Sequence, residues 1–127
     1  MHIAALIARV LLGLVFLVFG LNGFLNFLPP GPLPEGPAGQ FLSALIQSHY
    51  VYPVSALQLV GGVLLLVNLY VPLALTLLGP VVVNIFLFHL LMEPSGLPIA
   101  IVVAMLWGIV ALHHRQYFSG IFVQRAS

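Results

Sequence analysis

PLALTLLGPVVVNIFLFHLLMEPSG, residues 72–96, decides the fold. A proline opens it, Gly79-Pro80 lies mid-way, and Glu93-Pro94-Ser95-Gly96 closes it with a charge and helix breakers. Asn84 and His89 interrupt an otherwise apolar run. At ~1.5 Å per residue, a helix needs about 20 apolar residues to cross a hydrocarbon layer of ~30 Å. The stretch satisfies that requirement and predicts a membrane helix carrying buried polar groups.

Composition extends the reading to the whole chain. Of 127 residues, 62% are hydrophobic and only 4% charged, whereas a soluble domain carries about a quarter charged residues. Lipid is the expected solvent. The absence of Cys excludes disulfides, thiolate metal sites, iron–sulfur clusters and dithiol chemistry. The charges are Arg9, Arg115, Arg125, Glu35 and Glu93, giving a net +1. That is no footprint for nucleic acid.

Working outward from the opening stretch, residues 3–28 predict a first span. It is too long for a signal-peptide core and runs into Pro29-Pro30, so it is expected to be retained. Arg9 lies in its first turns, placed to snorkel toward headgroups. Gly13 and Gly20 share a face with Phe16 and Phe24, a stripe on which a neighbouring helix can pack closely. Asn22 and Asn26 stack near its exit. The five prolines and three glycines of residues 29–39 predict a non-helical loop. In residues 40–48, Gln40, Ser43 and Gln47 oppose Phe41, Leu42, Leu45 and Ile46. This is an amphipathic helix too short to span, suited to the interface.

Tyr50 and Tyr52 read as interfacial aromatics, and Pro53 as the start of a second span over residues 53–69. Gln58, Gly61, Gly62, Leu65 and Asn68 fall on one of its faces. A tight turn leads to the third span, residues 72–92, which Pro80 should bend. The fourth span, residues 97–116, contains Trp107 and leaves through His113, His114, Arg115 and Tyr117. A loosely ordered tail to Ser127 is expected. The chain thus reads as one all-α integral membrane domain over residues 1–127. Its expected form is an antiparallel four-transmembrane-helix bundle with a short interfacial amphipathic helix between the first two spans.

With four spans, all three arginines sit on the side of the termini and both glutamates on the other, which predicts cytoplasmic termini. Asn22, Asn26, Gln58, Asn84 and His89 then share the outer half, with Glu35, His49 and Glu93 just above them. This polar layer is the candidate ligand site. The competing reading is structural: Asn and Gln as glue between helices, His89 as a capped interfacial group, and the glutamates as solvated loop charges. A haem would need two histidines at matched depth on facing helices. Only His89 with His49 approaches that, and His49 lies outside a span. No HxxxH or HxxE pair occurs within a span, so no metal site is expected.

His89 and Asn84 are five residues apart and would point roughly 140° away from each other on a regular helix. Pro80 cannot donate to the Thr76 carbonyl. A slightly hydrated cavity, lined also by Asn22 or Gln58, would satisfy that carbonyl, with His89 at its mouth and Glu93 one turn on.

FGLNGFLNFLP, then F-x₃-L-x₂-S-x-Y, GGVLLL, VPLALTLLGPVVVN and the Phe88-His89 pair resemble, in order and spacing, the DoxX family of small four-helix bacterial membrane proteins. The resemblance runs from about Arg9 to Phe118. It implies a membrane part of a redox or assembly complex, the family name coming from a subunit linked to thiosulfate:quinone oxidoreduction. It emphasises Arg9, Gly20, Asn22, Gly62, Pro72, Pro80, Asn84 and His89. Gly23 stands where many members have a basic residue, and Gln58 where many have an acid, which weakens any proton-relay or quinone-acid mechanism that the resemblance implies. The expected protein is multi-pass in a bacterial inner membrane, a partner of a redox complex with an outer-half pocket for a quinone or other lipophilic ligand. A non-catalytic scaffold is the alternative, and an oligomeric small-molecule transporter a lesser one. The expected partners are the lipid bilayer and a second copy or another membrane protein. No self-sufficient catalytic constellation is present, so any enzymatic role would be that of an oxidoreductase subunit.

Overall fold

Residues His2–Leu25 form α1, an apolar helix with no proline inside it. It ends where Asn26 adopts φ 52°, its N–H donating to the Asn22 carbonyl at 2.8 Å. Asparagine tolerates this left-handed conformation and so ends the helix. The first helix therefore stops at Leu25, not at 28. The computed structural model describes residues 2–27 and 31–125, and Leu28, Pro29 and Pro30 lie outside the described residues.

The proline-rich loop yields to helix earlier than its composition suggests. α2 spans Pro37–Gln47, with Pro37 in the first turn and Gly36 before it at φ 75°. A proline costs nothing at that point because its missing N–H has no helical partner there. α3 follows at once as Val51–Val67, so Pro53 lies inside the first turn and does not begin the helix. The turn between them, with His49 at φ 63°, bends the pair by 86°. Asn68 and Tyr70, at φ 59° and 52°, turn the chain into α4, Val71–Leu91. α4 continues through Pro80 as a single helix.

A 3₁₀ turn, Pro94–Gly96, precedes α5, Leu97–His113. The helix ends three residues before the expected 116. A further 3₁₀ helix, Arg115–Phe122, replaces the expected loose tail; Ser127 lies outside the described residues. Three stretches are long and apolar enough to cross a membrane: His2–Leu25, Val71–Leu91 and Pro94–His113. α2 and α3 qualify only together, as one broken span or a re-entrant loop, so the count among the described residues is three or four.

α1 packs most closely on α3, α3 on α4, α4 on α5, and α5 returns to α1. Leu12, Phe16, Leu65, Leu75, Leu78 and Val110 are fully buried at the centre of this ring. Glycines set the closest approaches, as their spacing predicts. A Cβ on Gly62 would lie 2.6 Å from the Leu17 nitrogen and 2.9 Å from the Gly13 carbonyl oxygen. One on Gly20 would lie 2.6 Å from the Leu59 nitrogen, and one on Gly61 would meet the Leu78 side chain at 2.6 Å. Small residues let helices approach to backbone contact, which is how membrane helices associate when lipid removes the hydrophobic drive. The outside is apolar to match, with Ile99 68% and Leu91 72% exposed.

Candidate functional site

The two α4 residues of the expected polar layer bond within their own helix and its terminal turn, not to each other. Asn84 is exposed on the outer face of α4, and its Nδ2 donates to the Pro80 carbonyl of the same helix at 2.8 Å. Thr76, also exposed, donates its hydroxyl to the Pro72 carbonyl at 2.9 Å. Thr76, Pro80 and Asn84 are four apart and form a stripe turned away from the core.

His89 is half-buried and turned toward the α4–α5 turn. Its Nδ1 lies 3.1 Å from the Glu93 carbonyl oxygen. A carbonyl only accepts, so Nδ1 is the donor in this contact. The spacing of four to Glu93 is therefore used, but by the backbone. The Glu93 carboxylate accepts instead from the Ser95 hydroxyl at 2.8 Å. Gly96 lies against the imidazole, where a Cβ would come within 2.3 Å of Cε1.

Asn22 and Gln58 are half-buried on α1 and α3. Gln58 forms no side-chain hydrogen bond among the described residues. Asn26 is exposed and acts as the stop of α1. His49 is exposed and stacks on Tyr52 with centroids 5.7 Å apart, and Tyr52 stacks on Phe24 at 5.7 Å. Glu35 is exposed in the loop before α2. A shallow cavity of about 480 Å³ lies between this loop and the Gln40, Ser43 and Gln47 face of α2. None of Asn22, Gln58, Asn84 or His89 lines it.

Arg9 departs most from its expected place. It is half-buried, and its guanidinium does not snorkel outward but donates to the carbonyls of Leu65 and of Leu66, the latter at 3.4 Å. These are among the last carbonyls of α3, at the negative end of its dipole, and that of Leu65 also accepts the Asn68 N–H at 3.3 Å. Asn68, in the left-handed conformation, ends α3 just beyond them. Trp107 ties the opposite pair of helices, its Nε1 donating to the Leu75 carbonyl at 3.0 Å. Gly23 also acquires a reason. A Cβ there would lie 1.8 Å from the Ser55 hydroxyl oxygen, so a larger residue cannot coexist with Ser55 as placed.

No curated protein and no solved structure matches the chain. The family model of DoxX matches over residues 4–90, which takes in nearly all of α1, the whole of α2 and α3, nearly all of α4, and Arg9, Asn22, Gln58, Asn84 and His89 with them. With its apolar helices and a match over more than half its length, the chain belongs to the DoxX family of membrane proteins.

Proposed function

We propose that the chain is a non-catalytic membrane subunit that docks another membrane-embedded protein through the outer face of α4, as the partner of a redox-related complex. In this reading α1, the broken α2–α3 pair, α4 and α5 form an antiparallel four-span bundle in a bacterial inner membrane, with both termini cytoplasmic. Arg9, Arg115 and Arg125 at one end and Glu35 and Glu93 at the other support that orientation.

The carrying observation is Asn84. Exposed faces of α1 and α5 present apolar side chains such as Leu6, Val10, Leu14, Ile101, Val102 and Met105. α4 alone sets an exposed Asn84 amide above the exposed Thr76 and Pro80 within an apolar span. One amide hydrogen is held by Pro80, while the oxygen accepts nothing among the described residues. A polar side chain in hydrocarbon favours a neighbouring helix that supplies a donor, worth about 0.6–2 kcal/mol.

A photo-cross-linking residue at Val83 or Leu87, both exposed beside Asn84, tests this in intact membranes. Protein adducts are expected there, and only lipid adducts from Val102 and Met105. Lipid adducts from all four would contradict docking through α4. The half-buried amide of Gln58, without a partner among the described residues, favours a second reading, a hydrogen bond to the head of a quinone or similar lipophilic molecule. A quinone retained through purification by the natural chain and lost by Gln58→Leu would favour it.

A further inference from the structure

At the opposite end of the molecule from the polar layer, α5 gives way to the C-terminal 3₁₀ helix. We propose that this corner binds the phosphate of an anionic phospholipid. The inference needs only the membrane assignment and is independent of docking through α4. A depression of about 420 Å³ is lined by Leu112, His113, His114, Arg115, Gln116 and Tyr117. The Arg115 guanidinium, the Gln116 amide and the Tyr117 hydroxyl form no side-chain hydrogen bond among the described residues. His114 differs. Its Nδ1 donates to the Val110 carbonyl at 2.9 Å, which leaves Nε2 as its remaining polar atom. The ring of His2 lies 5.8 Å from that of His113, so the start of α1 closes one side.

No carboxylate of the described residues is placed to neutralise Arg115. Glu93 is separated from it by the whole of α5, about 25 Å of helix. Glu35 precedes α2, whose Phe41 packs on Phe88 near that same far end, with ring centroids 5.5 Å apart. Among the described residues Arg115 therefore has no counter-charge, and an anionic headgroup would supply one. A guanidinium fork, an amide and a phenol offer the donors that phosphate oxygens accept. The apolar flank argues for a lipid over free phosphate. Ile121, Phe122 and Val123 are 71%, 83% and 58% exposed beside the corner, where acyl chains and headgroups would meet them.

The test is native mass spectrometry of the full chain in neutral detergent. Phosphatidylglycerol is titrated against phosphatidylcholine of the same acyl chains, with inorganic phosphate as competitor. Phosphatidylglycerol is expected to bind more tightly, and Arg115→Gln to lower its affinity roughly fivefold while leaving phosphatidylcholine unchanged. Tyr117→Phe removes one hydroxyl and should weaken the same complex by less, which keeps the test open if Arg115→Gln folds poorly. Equal affinity for the two lipids, or phosphatidylglycerol binding indifferent to both variants, would overturn the site. Displacement of the lipid by an equal concentration of inorganic phosphate would overturn the lipid assignment.

Discussion

Gly62→Leu should lower the melting temperature of the protein in detergent, and by more than loss of the Arg9 guanidinium does. Added bulk in a packed core typically costs about 1–3 kcal/mol because side chains can shift. At Gly62 the nearest atoms are backbone: the Leu17 nitrogen at 2.6 Å, the Gly13 oxygen at 2.9 Å and the Phe16 carbonyl carbon at 3.0 Å from a built Cβ. Rotamer changes cannot relieve that contact. α1 and α3 must separate, which also loosens Phe16 and Leu65, both fully buried between them. The loss should therefore reach or exceed the upper part of that range. Gly108→Ala is the control, because a Cβ there meets nothing within 4 Å. It should be neutral, or stabilising by up to about 1 kcal/mol through helix propensity. Equal melting of the natural chain and Gly62→Leu would mean that α1 and α3 do not meet at this stripe.

The second large effect is expected at Arg9. Two considerations oppose each other when its charge is removed. Arg9→Leu relieves a half-buried guanidinium of its desolvation, but it takes a charged donor from the Leu66 carbonyl and from the Leu65 carbonyl, which keeps only the Asn68 N–H at 3.3 Å, at the negative end of α3. Hydrogen bonds to charged groups contribute about 1.5–3 kcal/mol. Arg9 already has its partners, so the loss should win and Arg9→Leu should melt lower by about that amount. Arg9→Lys keeps the charge without the fork and should fall between the two. A melting temperature raised by Arg9→Leu would show the carbonyl contacts to be incidental.

What the sequence leaves hidden has physical causes. α4 was legible to within a residue at each end because a proline starts it and a charge, a proline and a glycine stop it. The contacts of Gly13, Gly20, Gly61 and Gly62 were legible because the spacing of small residues reports close approach directly. The orientation of Asn84 was not. α4 is apolar nearly all round, so periodicity carries no information about which face is inward. For the same reason the convergence of Asn22, Gln58, Asn84 and His89 could be imagined from depth alone. Equal depth on separate helices places groups in one layer, but not on facing sides. His89 shows a finer limit: a spacing of four to Glu93 was visible, whereas the use of the backbone carbonyl depends on how the chain turns at Gly96. The helical start at Pro37 was hidden by composition, because a loop rich in proline masks the one proline that opens a helix. The place of Arg9 was hidden too. An arginine near the end of a span usually reaches for water, and only the fold brings the end of α3 beside it.

The four-span bundle requires the bent α2–α3 pair to supply one crossing, with α2 lying along the outer surface and α3 passing through to the turn at Tyr70. The chain has no Cys of its own, so single-cysteine variants report accessibility to an impermeant thiol reagent without background. The decisive pair is Ser48→Cys, in the turn between α2 and α3, and Tyr70→Cys, in the turn between α3 and α4, with Ser95→Cys and Ser119→Cys as references. In intact cells the account predicts labelling at residues 48 and 95, and labelling at 70 and 119 only after the membrane is opened. Labelling at both 48 and 70 from the same side would mean that the bent pair does not cross, and the four-span bundle would be contradicted.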